Sequence, residues 1–197
     1  MKKILGVVLL FCVYFIQANI EAAHAAATVP LNVTVNGSLV ITDASNDSMS
    51  GMDPTINVNL SVTPDLGQAT VTGQANFRIR TNRTTWRLTS QRTASNAGGT
   101  GIADTDISVN ISKVAGSTAN ANAGTIVSPF SSATNLSSIP TVSPANVVNG
   151  TAKTSSAKDG NNTNNYFEID TAYGIAPDFF YTPGTFSTTI TYNLVSP

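Results

Sequence analysis

The chain has 197 residues and a formal net charge of −1, with 11% charged, 7% aromatic and 41% apolar residues. That length suits one domain with or without a tail, and the apolar content is enough to fill a core. Near-neutral charge gives no general pull toward nucleic acid or an anionic membrane, and one Cys excludes an intramolecular disulfide and a cysteine zinc cluster.

Residues 1–25 have the layout of a cleaved secretory signal peptide. Lys2 and Lys3 form the charged start, Ile4 to Ile16 is apolar, and Ala23-His24-Ala25 offers a cleavage site, with Ala25-Ala26-Ala27 as a second. The apolar run is thirteen residues, short of the ~20 needed to span a bilayer. Cleavage removes Cys12 and His24, the one Cys and the one His of the chain. What remains has eight basic and ten acidic residues, a charge of −2. Without an imidazole, Ser-His-Asp and Cys-His catalysis and histidine-ligated transition metals are excluded.

The remaining sequence is written in strand periodicity, with no amphipathic helix. Val29, Leu31, Val33 and Val35 alternate with polar residues, and the parity runs on through Gly37, Leu39 and Ile41. Ile56, Val58, Leu60 and Val62 predict a second strand, and Ala75, Phe77 and Ile79 a third. After Thr81-Asn82-Arg83-Thr84, Trp86 and Leu88 predict a fourth. Ile107, Val109 and Ile111 follow, then Phe167, Ile169, Thr171 and Tyr173, and finally Phe186, Thr188, Ile190, Tyr192 and Leu194. The Pro-containing stretch 128–165 is too long for a plain connection and predicts short edge strands. About seven strands with one apolar face each predict an all-β, immunoglobulin-like sandwich in a single domain.

Gly184 stands fourteenth from the C-terminus and is followed by the period-two ladder Phe186, Ile190, Tyr192 and Leu194. This layout resembles the C-terminal strand of bacterial chaperone–usher fimbrial subunits (pilins), most closely the cysteine-free colonisation-factor class. Asn32-Val33-Thr34-Val35 is similar to the N-terminal extension of that class. Phe77 to Asn82 before Trp86-Arg87-Leu88 looks like its central hairpin, and Phe167 to Asp170 through Pro183 to Phe186 looks like its closing segment. The penultimate Ser196 stands where many classical pilins have Tyr.

The resemblance implies a sandwich lacking its last strand, completed by a donor strand from a neighbouring subunit. It divides the chain into a signal peptide (1–25), a donor-strand extension (26–37) and a pilin domain (38–197). Val29, Leu31, Val33 and Val35 are the implied donor residues; Gly184, Phe186, Ile190, Tyr192 and Leu194 form the implied groove and chaperone-contact strand. Burying four aliphatic side chains contributes on the order of 6–12 kcal/mol before ordering costs. The implied partners are further copies of the chain, a periplasmic chaperone and an outer-membrane usher. The implied location is the periplasm in transit and then a surface fimbria supporting adhesion or biofilm formation. No enzyme activity, cofactor, metal, nucleic acid or direct membrane span is expected.

Arg78, Arg80, Arg83, Arg87 and Arg92 are all the arginines of the chain, and no acidic residue lies between Asp65 and Asp104. They read either as the solvated face of a strand pair or as a basic stripe that meets a neighbouring subunit, a host glycan or a host surface. Asp43, Asp47 and Asp53, and Asp104 with Asp106, lack the spacing of an EF-hand loop and read as turn residues. Glu168 and Asp170 read as the solvent face of one strand, not as a glycosidase pair. The second reading of the whole chain is a self-contained secreted sandwich that binds carbohydrate or serves as a matrix protein.

Overall fold

The computed structural model describes residues 29–67, 69–114, 120–155 and 165–197. The signal peptide expected over 1–25, with Cys12 and His24, lies outside the described residues, as do the first three residues of the expected extension. The chain divides between Val35 and Asn36, and every strand among the described residues belongs to the part that begins at Asn36.

That part is nearly all β, folded as two antiparallel sheets. Nine strands are found among the described residues: β1 (Leu39–Asp43), β2 (Val71–Thr81), β3 (Trp86–Arg92), β4 (Ile107–Lys113), β5 (Gly124–Ile126), β6 (Thr134–Asn135), β7 (Ala145–Gly150), β8 (Phe167–Ile175) and β9 (Ile190–Val195). One sheet has the order β1-β2-β8-β4-β6 and the other β5-β7-β3-β9. Among the described residues, no helix is long and apolar enough to cross a membrane.

Period-two patterning explains the layers, because alternate side chains of a strand point to opposite faces. Phe77 and Ile79 of β2, Val109 of β4 and Phe167 and Ile169 of β8 are buried from one sheet; Trp86 and Leu88 of β3 are buried from the other. Trp86 meets Phe167 edge-on at 5.6 Å, and its indole N–H donates to the Ala152 carbonyl at 2.8 Å. A buried Trp thus keeps its polar handle satisfied while its ring bridges the two layers.

Three sequence expectations are corrected. β2 and β3 do not form a hairpin: they lie in different sheets, so the turn at 82–85 carries the chain from one layer to the other. Both strands turn their apolar faces inward, which a crossover accommodates as well as a hairpin does. The stretch 128–165 contributes β7, an interior strand between β5 and β3, rather than edge strands alone. Val147 and Val148 are both fully buried, which hid it from an alternation test. The run Ile56 to Val62, predicted as a strand, pairs with no strand among the described residues.

Gly150 faces the Trp86 indole so closely that a Cβ there would sit 2.0 Å from ring atoms. Gly150→Ala should therefore destabilise the domain by about 1–3 kcal/mol through overpacking. A lower urea midpoint with unchanged slope checks this; an unchanged midpoint contradicts it.

Candidate strand-acceptor edge

The two sheets are stacked with β1 near β9 on one side and β4 near β5 on the other. On the β1–β9 side both layers end without a full complement of pairing. β9 is bonded to β3 from Arg87↔Val195 to Arg92↔Ile190, and no strand among the described residues pairs with its other edge. Pairing along the β3 side continues upstream, through Thr93 N–H to the Thr189 carbonyl at 2.9 Å and the Asn96↔Ser187 bridge.

Residues 54–64 belong to no strand, bridge or turn. Among the described residues, no backbone–backbone hydrogen bond reaches them. Ile56, Val58, Leu60 and Val62 nonetheless alternate inward and pack half-buried on the core. Val58 and Leu60 lie over the inner face of Gly73 in β2, where a Cβ would come within 2.6 Å of Val58 Cγ1. The predicted second strand therefore keeps the side-chain parity of a strand without a strand's partner among the described residues.

Phe186, Ile190, Tyr192 and Leu194 also pack half-buried on the core. The Tyr192 ring lies 5.3 Å from Phe77, and its hydroxyl shares a 2.9 Å hydrogen bond with the Tyr173 hydroxyl. Burial raises both phenols above their ordinary value, Tyr192 strongly, so both stay neutral and the bond persists. Gly184 abuts the Gly98 carbonyl, which a Cβ would approach to 2.6 Å, so its missing side chain admits a backbone-to-backbone contact. A shallow pocket of about 360 Å³, lined by residues including Ile56, Ala75 and Asn76, lies at the near end of the 54–64 segment. The Asn76 side-chain oxygen is buried without a hydrogen-bond partner.

In the part before Asn36, Val29, Leu31, Val33 and Val35 are 85%, 84%, 77% and 80% exposed, and residues 29–35 adopt no strand. Four large apolar side chains at period two are thus left in water, a pattern that a closed sandwich would not leave unburied.

The arginines do not make one stripe. Arg78 pairs with Asp47 at 2.9 Å and Glu168 at 2.7 Å, Arg80 pairs with Asp47 at 2.5 Å, and both guanidinium groups lie over the Tyr166 ring. Arg92 is buried, donating to the Leu136 and Ile139 carbonyls and pairing with Asp104 at 2.6 Å. Arg83 and Arg87 are exposed. The pairing of Asp47 with two arginines across 31 and 33 residues is a structural cluster that sequence spacing could not have indicated. Asp43 and Asp106 accept from the Ser45 and Ala103 backbone N–H groups, as turn residues do. Among the described residues, no three metal-ligating side chains converge. Glu168 and Asp170 share the outer face of β8, where burial, and then the Glu168 charge, raises the Asp170 carboxyl.

No protein-family model matches the chain, and no curated protein sequence matches it.

Partial burial alone would raise the Asp47 carboxyl, but hydrogen bonds from Arg80, Thr42 and Arg78 outweigh it and hold the group at about 2, below the ordinary 3.8. A depressed folded value contributes stability above pH 4, and that contribution fades as pH falls from about 4 toward 2. Allowing for solvent screening, it is of the order of 1–2 kcal/mol. Asp47→Asn should therefore be less stable than the parent at pH 7, with the gap closing by about pH 2. Denaturant melts across that range check it, and a gap independent of pH contradicts it.

Proposed function

We propose that the chain is a structural subunit of a surface fimbria that polymerises by strand donation. The observation that carries this reading is a match between two unfilled halves. One is the solvent-exposed Val29, Leu31, Val33 and Val35; the other is an edge where β9 lacks a partner and Ile56, Val58, Leu60 and Val62 lack a ladder. A strand inserted there forms backbone hydrogen bonds along β9 and buries its alternate side chains against the half-buried ones of both layers. Donor and acceptor surfaces sit on every copy, so the contact is heterologous and repeats.

The same edge accounts for the expected helpers. Before assembly it exposes unpaired backbone and apolar side chains, a known hazard for aggregation. A periplasmic chaperone that lends a strand would cover it, and an outer-membrane usher would exchange that strand for the next subunit's. Secretion, passage through the periplasm and display on the cell surface belong to this reading. So does the pilin-like sequence layout around Gly184 to Leu194.

Removal of residues 26–35 should leave a domain with an unchanged thermal midpoint that no longer forms SDS-resistant ladders when self-assembled. Val33→Asp should cut ladder formation at least tenfold, because insertion would bury an unpaired charge. Undiminished ladders from the shortened chain would overturn donation by this segment, whereas a full-length chain that stays monomeric would favour a self-contained secreted sandwich.

A further inference from the structure

Asn-Gly occurs twice in the chain, at Asn36-Gly37 and at Asn149-Gly150. In such a pair the glycine nitrogen can attack the asparagine side-chain carbonyl carbon, because no Cβ crowds the approach. The two pairs sit in opposite surroundings. Asn149 and Gly150 end β7, laddered to β3 through Arg87↔Asn149 and Trp86↔Gly150 and to β5 through Thr125↔Asn149 and Gly124↔Gly150. Gly150 is buried against the Trp86 indole, and the Asn149 side-chain oxygen accepts from the Asn146 amide at 2.6 Å. Turning Asn149 onto the Gly150 nitrogen would break pairing on both sides.

Asn36 and Gly37 are exposed and belong to no strand. Among the described residues, nothing accepts from the Gly37 N–H, and the Asn36 side chain has no hydrogen-bond partner. The backbone around them is nevertheless held. The Asn82 side-chain oxygen accepts from the Ser38 N–H at 2.9 Å, and its nitrogen donates to the Asn36 carbonyl at 2.8 Å. The Thr81 hydroxyl donates to the Ser38 carbonyl at 2.8 Å. The Arg83 guanidinium lies against Gly37, where a Cβ would collide with its Nε, Cζ and Nη2 atoms.

These contacts converge on one peptide unit. The Asn36 carbonyl and the Gly37 N–H share it, so a donor on the oxygen disperses the negative charge that the nitrogen acquires on losing its proton. A guanidinium alongside favours the same anion, and also the oxyanion that forms when the nitrogen meets the side-chain carbonyl. The held backbone supplies orientation, and exposure supplies water.

We propose that Asn36-Gly37 is a self-modification site, at which Asn82 and Arg83 promote the loss of ammonia from Asn36. The Gly37 nitrogen gives its proton to water or hydroxide and bonds to Asn36 Cγ. The Cγ–Nδ2 bond breaks, Nδ2 takes up a proton and leaves as ammonia, and a five-membered succinimide remains. Water then opens the ring at either carbonyl, giving aspartate or isoaspartate, with no oxidant or reductant. Either product carries a carboxylate next in sequence to the glycine that Arg83 covers. Isoaspartate also adds a methylene to the main chain where its two parts divide. The chemistry is independent of strand donation, although it falls on the link between the proposed donor segment and its sandwich.

The full chain is incubated at mildly alkaline pH, folded and in guanidinium chloride, then digested with trypsin. Mass spectrometry and isoaspartyl methyltransferase labelling follow the peptides; cleavage at Arg78, Lys113 and Lys153 separates Asn36 from Asn149. In the folded chain, Asn36 should convert about tenfold or more faster than Asn149, and faster than Asn36 of the denatured chain. Asn82→Asp keeps the acceptor for the Ser38 N–H and removes the donor to the Asn36 carbonyl. It should slow Asn36 about tenfold, as should Arg83→Gln, with Arg83→Lys restoring most of the rate. All variants should match the parent once denatured, and either position carries the test if the other fails to fold. Conversion slower in the folded chain than in the denatured one overturns the proposal. So does a folded rate that Asn82→Asp and Arg83→Gln leave unchanged or raise.

Discussion

An edge strand is tolerable to a soluble protein only if something discourages other strands from adding to it. Natural edges are blunted by charge, proline, bulges or a covering segment. Residues 186–195, Phe-Ser-Thr-Thr-Ile-Thr-Tyr-Asn-Leu-Val, carry neither a charge nor a proline. The facing run Ile56 to Thr63 carries none either, with Pro54 and Pro64 confined to its two ends. Both borders therefore keep their hydrogen-bonding groups and apolar side chains available. That side of the sandwich therefore lacks the usual guards against strand addition.

The ion pairs among the described residues lie elsewhere. Asp47 draws Arg78 and Arg80 together on the outer face of β2, and Glu168 holds Arg78 from the neighbouring β8 at the register position Arg78↔Glu168. Arg92 anchors the Leu136–Ile139 turn from the inner face of β3. These groups tie loops to sheets, with Asp47 binding the chain after β1 to β2. That chain continues directly into residues 54–64, so the cluster steadies the start of a segment that has no ladder to steady it.

The strands that pair on both sides were legible in the sequence because one buried face imposes strict alternation, as in Phe77 and Ile79 or Phe167, Ile169 and Tyr173. The layer assignment was not legible, since β2 and β3 carry identical inward patterns whether they pair or cross between sheets. β7 escaped because consecutive Val147 and Val148 are both buried, which breaks period two. The run Ile56 to Val62 is the instructive case. Alternation reports that a segment is extended with one face on a core; it is silent on whether the backbone has a partner. The candidate edge follows from that silence: the side chains that define it could be named from sequence, while its unpaired backbone could be seen only in three dimensions.

Register in such a contact has its own logic. A slip of one residue would turn Val29, Leu31, Val33 and Val35 outward and present Pro30, Asn32 and Thr34 to the core, which parity forbids. A slip of two preserves parity and costs one aliphatic side chain, about 1.5–3 kcal/mol. Parity alone thus leaves neighbouring even registers separated by a modest gap. What widens it is the end of the segment. Asn82, Thr81 and Arg83 pin residues 36–38 to the sandwich, so the segment cannot slide deeper without dragging a folded body with it. Sliding outward strands Val35 in water. On the proposed reading, the anchoring of residues 36–38 would narrow a two-residue ambiguity to a single seat, which a flexible Gly-rich linker at the same place would not do.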